Sequence, residues 1–509
     1  MKRLFFLFSF LSLVSVASSD LKAQAVEVDL TAKMLENYGG WKRDSEVNIK
    51  RFVHETIEDE FTGLLVERFY LEDEAGRQVE IKSKVEHCFD FQYNDLQELW
   101  NAHIVTNVLY SLSKNGFKYE LRQEMEDDAL RYIELVKKNN LEFNDPYLES
   151  YIYSLVAKIA PEYMIDGRPG SVNLLLQQNP SINACCYPNG TIVLNTGLLA
   201  SLHSEAELVA ILAHEIAHFV LDHSVQNVIA AEQRQKRAEF WAGLATVLTA
   251  VTEGVVASRS NYYIPGAATM GVAMLSAAVA SSVNKQLGME YNHAQESEAD
   301  CLAVEVLRTL GYDENALASA LMRIESEYVK ERNNATYFAS YTHPSLKARI
   351  RTVGNSQCAE EKTFEQIISF AVSNVAMMKY NDRRFRQCLP YVNQNIENNV
   401  ATSDDFLLKA NCLLSIKNDT ESNMEVLSLI NRAKYMDENN INLYKIEIIA
   451  CLRLDDKPRA VELLNAYIDT LDALDYSNIK SPGYWETARI FASSERRWAS
   501  QMLAKLSGM

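Results

Sequence analysis

The sequence predicts a mainly α chain with a small β-sheet, on three observations. Glycine and proline are scarce, at 18 and 10 in 509 residues, while 48% of the residues are hydrophobic; that is the composition of a helix-rich globular chain, not of a collagen-like or low-complexity one. Apolar residues recur at three- and four-residue spacing through most of the second half, the period of helices with one buried face. Alternating β-rich runs are short and confined to the first half. The length suits about three domains. With 50 basic against 68 acidic residues the formal net charge is -18, which repels phosphate backbones and excludes nucleic acid as a partner.

The elements follow in order. Lys2 and Arg3 precede the apolar run Leu4 to Val16, and Ala23-Gln24-Ala25 puts small residues where a signal peptidase reads. Residues 1–25 are therefore expected to be a signal peptide, the run being too short to span a bilayer. Residues 26–144 read as an accessory α+β unit. Leu64 to Leu71 and Gln78 to Ser83 form a hairpin about Glu74-Ala75-Gly76-Arg77, followed by helical spacing from Leu96 to Leu112. A second unit, residues 145–354, opens with a helix over Tyr147 to Ala160. Strands follow over Asn173 to Gln178 and, after the turn Pro188-Asn189-Gly190, over Thr191 to Asn195. Ser204 and Glu207 make an S-x-x-E capping box that starts the strongest helix close to Glu205.

Trp241 to Ala257 and Ile264 to Val283 carry almost no charge. More than half of the second run is Ala, Gly or Ser, so a helical hairpin near the active site, with membrane contact through 241–283, is expected ahead of two true spans. Residues 355–509 read as helices only. Phe406 to Ile416 and Leu443 to Leu454 are similar segments, each followed by a second helix, Asn423 to Met436 and Pro458 to Leu471. These resemble degenerate tetratricopeptide-type helix pairs, an ordinary bundle being the alternative. Eight cysteines are too few for a disulfide scaffold in a chain this long. Adjacent Cys185 and Cys186 are expected as small buried apolar residues.

The chemistry lies in His214-Glu215-Ile216-Ala217-His218, an H-E-x-x-H sequence. At helical periodicity the two histidines fall about 40° apart on one face, so both imidazoles can hold a metal while Glu215 reaches a water. A catalytic zinc needs a third protein ligand and one open position. The metzincin pattern is excluded because Leu221 and Ser224 occupy its glycine and histidine positions and His223 is one residue out of step. A gluzincin takes a glutamate from a later helix, and Gln295-Glu296-Ser297-Glu298-Ala299-Asp300 supplies one ahead of the apolar stripe Ala303, Val306, Leu307 and Leu310. Glu296 and Asp300 share a face. Glu296 is assigned to the metal, an acidic helix start placed for the helix dipole being the alternative, and Asp300 to orienting a ligating histidine, with Glu298 pointing away as a solvated charge.

These residues resemble the gluzincin metallopeptidases of peptidase family M48, which holds HtpX-type, CAAX prenyl, Oma-type and BepA-like proteases. The likeness runs from about Pro146 to Val353. It rests on Ile182-Asn183-Ala184, Pro188-Asn189-Gly190-Thr191-Ile192, Thr196-Gly197-Leu198-Leu199, Ser204-Glu205-Ala206-Glu207-Leu208, the H-E-x-x-H, Glu296 with Asp300, and His343-Pro344 with Arg349. The resemblance implies one zinc per chain on His214, His218 and Glu296, with Glu215 as general base and His343 approaching the zinc in a latent resting state. It also implies a periplasmic, BepA-like arrangement in which an all-helical tetratricopeptide-like domain follows the gluzincin-type catalytic domain. Asn189 in the turn, Cys185-Cys186 and the whole accessory unit depart from the family.

The expected function is an exported zinc endopeptidase acting on unfolded or misassembled envelope proteins, with protein partners on the C-terminal helices. His343 and Arg349 are candidate donors to the oxyanion. The strand Thr191, Ile192, Val193, Leu194, Asn195 is expected as an edge that accepts substrate by β-addition. The alternatives are a chaperone-like scaffold with a latent zinc site and a membrane-embedded protease.

Overall fold

The computed structural model describes residues 24–58, 65–81, 88–103, 116–139, 141–160, 172–231, 280, 282–330, 343, 346–354, 356–474 and 482–507. Residues 1–23 of the expected signal peptide, nearly all of 241–283, and Pro344 lie outside the described residues. The chain is mainly α with two small sheets, as the composition predicts.

The first sheet is antiparallel, in the order β4-β3-β2-β1-β5, from β1 (Gln24–Met34), β2 (Glu46–Glu58), β3 (Leu65–Asp73), β4 (Gln78–Glu80) and β5 (Phe89–Gln92). Along β1 Val28, Leu30, Ala32 and Met34 are buried in strict alternation with more exposed neighbours, the two-residue period of a half-buried strand. The expected hairpin is β3–β4. Asp73 Oδ1 accepts from the backbone N–H of Ala75 and Arg77, and Gly76 takes a φ of 75°, which glycine adopts without steric penalty. The two longest strands, β1 and β2, are not among the elements expected from the sequence, and β1 begins at Gln24, where signal-peptide cleavage was expected.

Helix α1 (Leu96–His103) and α2 (Gly116–Lys138) follow the sheet. The buried Trp100 of α1 donates Nε1–H to Ile159 O at 2.6 Å, at the end of α3 (Pro146–Ile159). The sheet, α1 and α3 thus share one hydrophobic core with the unit that follows. Asp145 caps α3 through its side chain, with Pro146 at the first helical position, where its missing N–H is not needed.

A second, three-stranded sheet has the order β6-β8-β7, from β6 (Asn173–Gln177), β7 (Ala184–Cys186) and β8 (Thr191–Asn195). This corrects the expected substrate strand. Thr191 to Asn195 is the central strand, parallel to β6 on one side and antiparallel to β7 on the other, and all five residues are buried. Its five apolar and polar residues read equally well as an edge or a centre, because periodicity does not report neighbours.

Next come α4 (Thr196–Leu199), α5 (Glu205–Val220) and α6 (His223–Ala231). Gly197 is fixed by close approach: a Cβ there would lie 2.3 Å from Pro180 O. Helix α5 starts at Glu205 as expected. Ser204 Oγ accepts from Glu207 N, while Glu207 reaches back to His203 N and not to the cap residue. Its residues from Ala206 to Val220 are buried all round, the mark of a central helix. Among the described residues no single helix is long and apolar enough to cross a membrane; Glu205–Val220 with His223–Ala230 pass together, bent by 50°, and their apolarity is used in this core.

Helix α7 (His293–Leu310) lies against α5, capped by Asn292 with Gln295 and ended by Gly311 in the left-handed region. Then come α8 (Ala316–Lys330) and α9 (Leu346–Val353). The C-terminal helices are α10 (Lys362–Ile367), α11 (Ser369–Asn381), α12 (Phe385–Glu397), α13 (Ser403–Ile416), α14 (Thr420–Met436), α15 (Asn442–Arg453), α16 (Lys457–Asp472) and α17 (Pro482–Leu506). From α11 on, each packs on the next, and α13 also touches α11 and α15.

A buried ion pair ties the N-terminal part to the turn after α5. Arg122 of α2 donates through Nε and Nη2 to Asp222, both side chains almost wholly buried. Asp222 sits at a φ of 62°, in the left-handed region that Asp and Asn tolerate best among residues with a Cβ. Arg122→Leu strips the counter-charge from a buried carboxylate and is expected to lower stability by about 3–5 kcal/mol in urea unfolding. Adding Asp222→Asn, which keeps the turn and removes the charge, should recover much of that loss; no recovery would mean the pair is not what holds the turn.

Candidate metal centre

Three elements bring one cluster together. Helix α5 presents His214 and His218 one turn apart, α7 presents Glu296, and His343 arrives just ahead of α9. One ligand atom from each of these four buried residues lies within 4.8 Å of all the others. His214 Nε2 is 3.1 Å from His218 Nε2 and 3.3 Å from His343 Nδ1. Glu296 Oε1 is 2.9 Å from His343 Nδ1 and 3.6 Å from His218 Nε2, and its Oε2 is 3.7 Å from His214 Nε2.

The donor set fits a zinc ion. Metal–ligand bonds of about 2.0–2.1 Å in tetrahedral array put ligand atoms about 3.3 Å apart, and the observed spacings straddle that figure. The charges agree. Burial would push the His343 imidazole down, but Glu296 and Glu215 lift it to about 10, so the pocket favours a positive charge at its centre. Burial, with His214, His223, His343 and Arg349 around it, holds His218 well below the usual imidazole range, in the neutral form that ligates. Although burial raises the Glu296 carboxyl, His343 and Arg349 bring it below its ordinary value.

The surroundings orient these groups. Asp300 Oδ1 is 3.0 Å from His214 Nδ1, as expected. Burial raises the Asp300 carboxyl, but His214 and Arg349 pull it well below the carboxylate range. Arg349 clamps both acids, with Nη1 2.7 Å from Glu296 Oε2, and Nε and Nη2 at 2.9 and 2.6 Å from Asp300. Its Nη2 also lies 3.4 Å from His214 Nε2, so the guanidinium faces both acids and one histidine of the cluster. Glu215 Oε1 is 3.3 Å from His343 Nε2, and Glu215 Oε2 is buried with no hydrogen-bond partner among the described residues.

Three features were not foreseen. Tyr291 stacks on His218, ring centroids 3.7 Å apart and planes 10° from parallel. His218 Nδ1 meets His223 Nδ1 at 2.8 Å, and His223 Nε2 meets Glu298 Oε2 at 3.3 Å. Glu298 is therefore not merely solvated, although its side chain is 44% exposed. Nothing in residue spacing marks Tyr291; His223 was visible but fitted no ligand pattern. Cys185 and Cys186 are buried in β7, as expected of small apolar residues. A second possible cluster, His203 with Glu360 and Glu365, is already an ion-pair network: Asn398 donates to Glu365 and Arg323 to Glu360.

Residues 146–356 match peptidase family M48. That stretch is similar to the metallopeptidase domain of this family, and the four converging side chains all fall within the matched residues. It is similar to the beta-barrel assembly-enhancing protease of Escherichia coli (strain K12), 27% identical over 244 residues, which are 47% of this chain and 45% of that one. The Yersinia pestis protein of the same name is 28% identical over 215 residues, 42% of this chain and 39% of that one. The mitochondrial metalloendopeptidase OMA1 of Arabidopsis thaliana is 24% identical over 191 residues, 38% of this chain and 33% of that one. The chain thus spans about two fifths of the length of the curated relatives it matches.

If Asp300 orients His214, Asp300→Ala should weaken zinc binding about 10–100-fold in competition with a chromophoric chelator. An unchanged affinity would remove Asp300 from the site.

Proposed function

We propose that this chain is an exported zinc endopeptidase that hydrolyses peptide bonds in unfolded or misassembled envelope proteins. The observation that carries the reading is the meeting of His214, His218 and Glu296 around one point, with Glu215 beside it. A purely structural site has no use for a buried carboxylate oxygen left bare next to the ligands. Export rests on the basic start and apolar run of residues 1–25. The envelope substrates rest on relatives whose name is beta-barrel assembly-enhancing protease.

His214, His218 and Glu296 would hold the zinc, which when bound would supply a Lewis acid that acidifies water and polarises the scissile carbonyl. Glu215 accepts the proton of the attacking water on a carboxylate oxygen, then delivers it to the leaving amine nitrogen. Asp300 and Arg349 keep His214 and Glu296 aimed. His343, standing between Glu215 and Glu296, would offer the metal a further nitrogen in the resting state and would have to move aside for a peptide to reach Glu215. The substrate backbone adds along β7 instead of β8, because β7 is an outer strand of its sheet and packs on α5. Burial, with Glu215 nearby, raises the Cys185 thiol, which puts β7 within electrostatic reach of the base.

The domains of this reading are a signal peptide over 1–25, an accessory unit over 26–144, the peptidase over 145–354 and a tetratricopeptide-like region over 355–509. The helical region serves as the docking arm for protein partners. Glu215→Gln is expected to keep one zinc per chain and lose about 10²–10⁴-fold in cleavage of an unfolded casein substrate. Cleavage by this variant at the wild-type rate overturns the assignment of Glu215. Retained zinc with no cleavage by wild type or by His343→Ala favours a scaffold.

A further inference from the structure

The two ligand histidines on α5 are backed in different ways. His214 turns its far nitrogen to the Asp300 carboxylate. His218 turns its far nitrogen to a second imidazole, His223, which is itself almost wholly buried. We propose that His223 is a positioning residue that fixes the tautomer of His218 and is fixed in turn by Glu298, so that a chain of imidazole, imidazole and carboxylate leads from the metal centre to the surface. The inference rests on the zinc reading above.

The direction of the chain follows from counting protons. His218 Nε2 faces His214 Nε2 and Glu296 Oε1, so its lone pair must be free for the metal. A neutral imidazole carries one N–H, which therefore sits on His218 Nδ1. The atom 2.8 Å away, His223 Nδ1, must accept. The N–H of His223 is then on Nε2, where Glu298 Oε2 lies 3.3 Å off to receive it. One arrangement satisfies all three groups; its reverse would put a hydrogen on the nitrogen that binds zinc.

Several features hold His223 in this pose. Asp222, left-handed and paired with Arg122, lies in the 50° bend between α5 and α6, so that α6 opens on His223. Gln295, next to Glu296 on α7, donates Nε2–H to His223 O at 3.4 Å. Gly288, at a φ of 70°, packs where a Cβ would lie 2.3 Å from Ser224 O. Tyr291 stacks on a face of the His218 ring, which fixes the plane the ring occupies. Glu298 also lies within electrostatic reach of His103 at the end of α1.

The test uses the full chain with zinc as the probe, and compares wild type with His223→Leu and His223→Asn. Asn places its amide oxygen where His223 Nδ1 stands and can still accept. Zinc affinity by chelator competition should fall about 10–100-fold in His223→Leu and return to within a few-fold of wild type in His223→Asn. Nitrogen-15 NMR of the histidine-labelled, zinc-loaded wild type should show hydrogens on His218 Nδ1 and His223 Nε2. The proposal is overturned if His223→Leu binds zinc like wild type, if His223→Asn is as weak as His223→Leu, or if His223 carries its hydrogen on Nδ1. Should His223→Leu fail to fold, the Asn variant and the wild-type spectrum decide. A wild type that binds no zinc sinks the metal reading itself, a different outcome from failure of His223.

Discussion

A carboxylate buried among three imidazoles is stable only with positive charge beside it, and most of the peptidase region is arranged to meet that need for Glu296. An isolated charge in such a place is heavily penalised. Here Arg349 pairs with Glu296 on one side and His343 on the other, while Asp300 balances Arg349 and orients His214. The network balances the charge of Glu296, although its Oε2 makes no hydrogen bond among the described residues. It also explains why α5 and α7 must pack closely: Ala299, Leu302, Ala303, Val306 and Leu307 along α7 bury an apolar stripe that sets the distance between Glu296 and the histidines.

The same logic extends outward. Glu207, fully buried near the start of α5, is met by Ser319 and Arg323 of α8, so both ends of the metal-bearing helix are anchored by ion pairs from elsewhere. At the other end the anchor comes from Arg122, far upstream in sequence. The N-terminal part is thus joined to the peptidase by a shared core, by the Trp100 hydrogen bond, by Tyr93 to Glu305 and by this pair. His343 is held between Glu215 and Glu296, at 3.3 and 2.9 Å.

What the sequence made legible was local. The H-E-x-x-H spacing fixes a helical face, the serine at position 204 fixes where the helix starts, and a glutamate four residues before an aspartate on a second amphipathic helix fixes which carboxylates can point together. What it hid depends on neighbours far along the chain. Thr191 to Asn195 reads as a strand, but whether it is an edge or a centre is decided by β6 and β7, which pair with it. Arg349 reads as a free donor because its partners sit 49 and more residues away. His223 was discarded for being out of step as a ligand. Its role depends on a left-handed turn at Asp222 that no periodicity reports. In the C-terminal half Phe406 to Ile416 and Leu443 to Leu454 announce helices, whereas the packing of α11 against α12 and of α16 against α17 had no equally strong pattern.

The proposed chemistry requires a single metal held by nitrogen and oxygen. Zinc-edge X-ray absorption on the purified full-length protein tests this most directly. The predicted spectrum is that of one zinc per chain in a shell of nitrogen and oxygen neighbours, with the outer scattering of several imidazole rings. A sulfur neighbour, which would point to Cys185 and Cys186, or a spectrum without imidazole scattering, would contradict it.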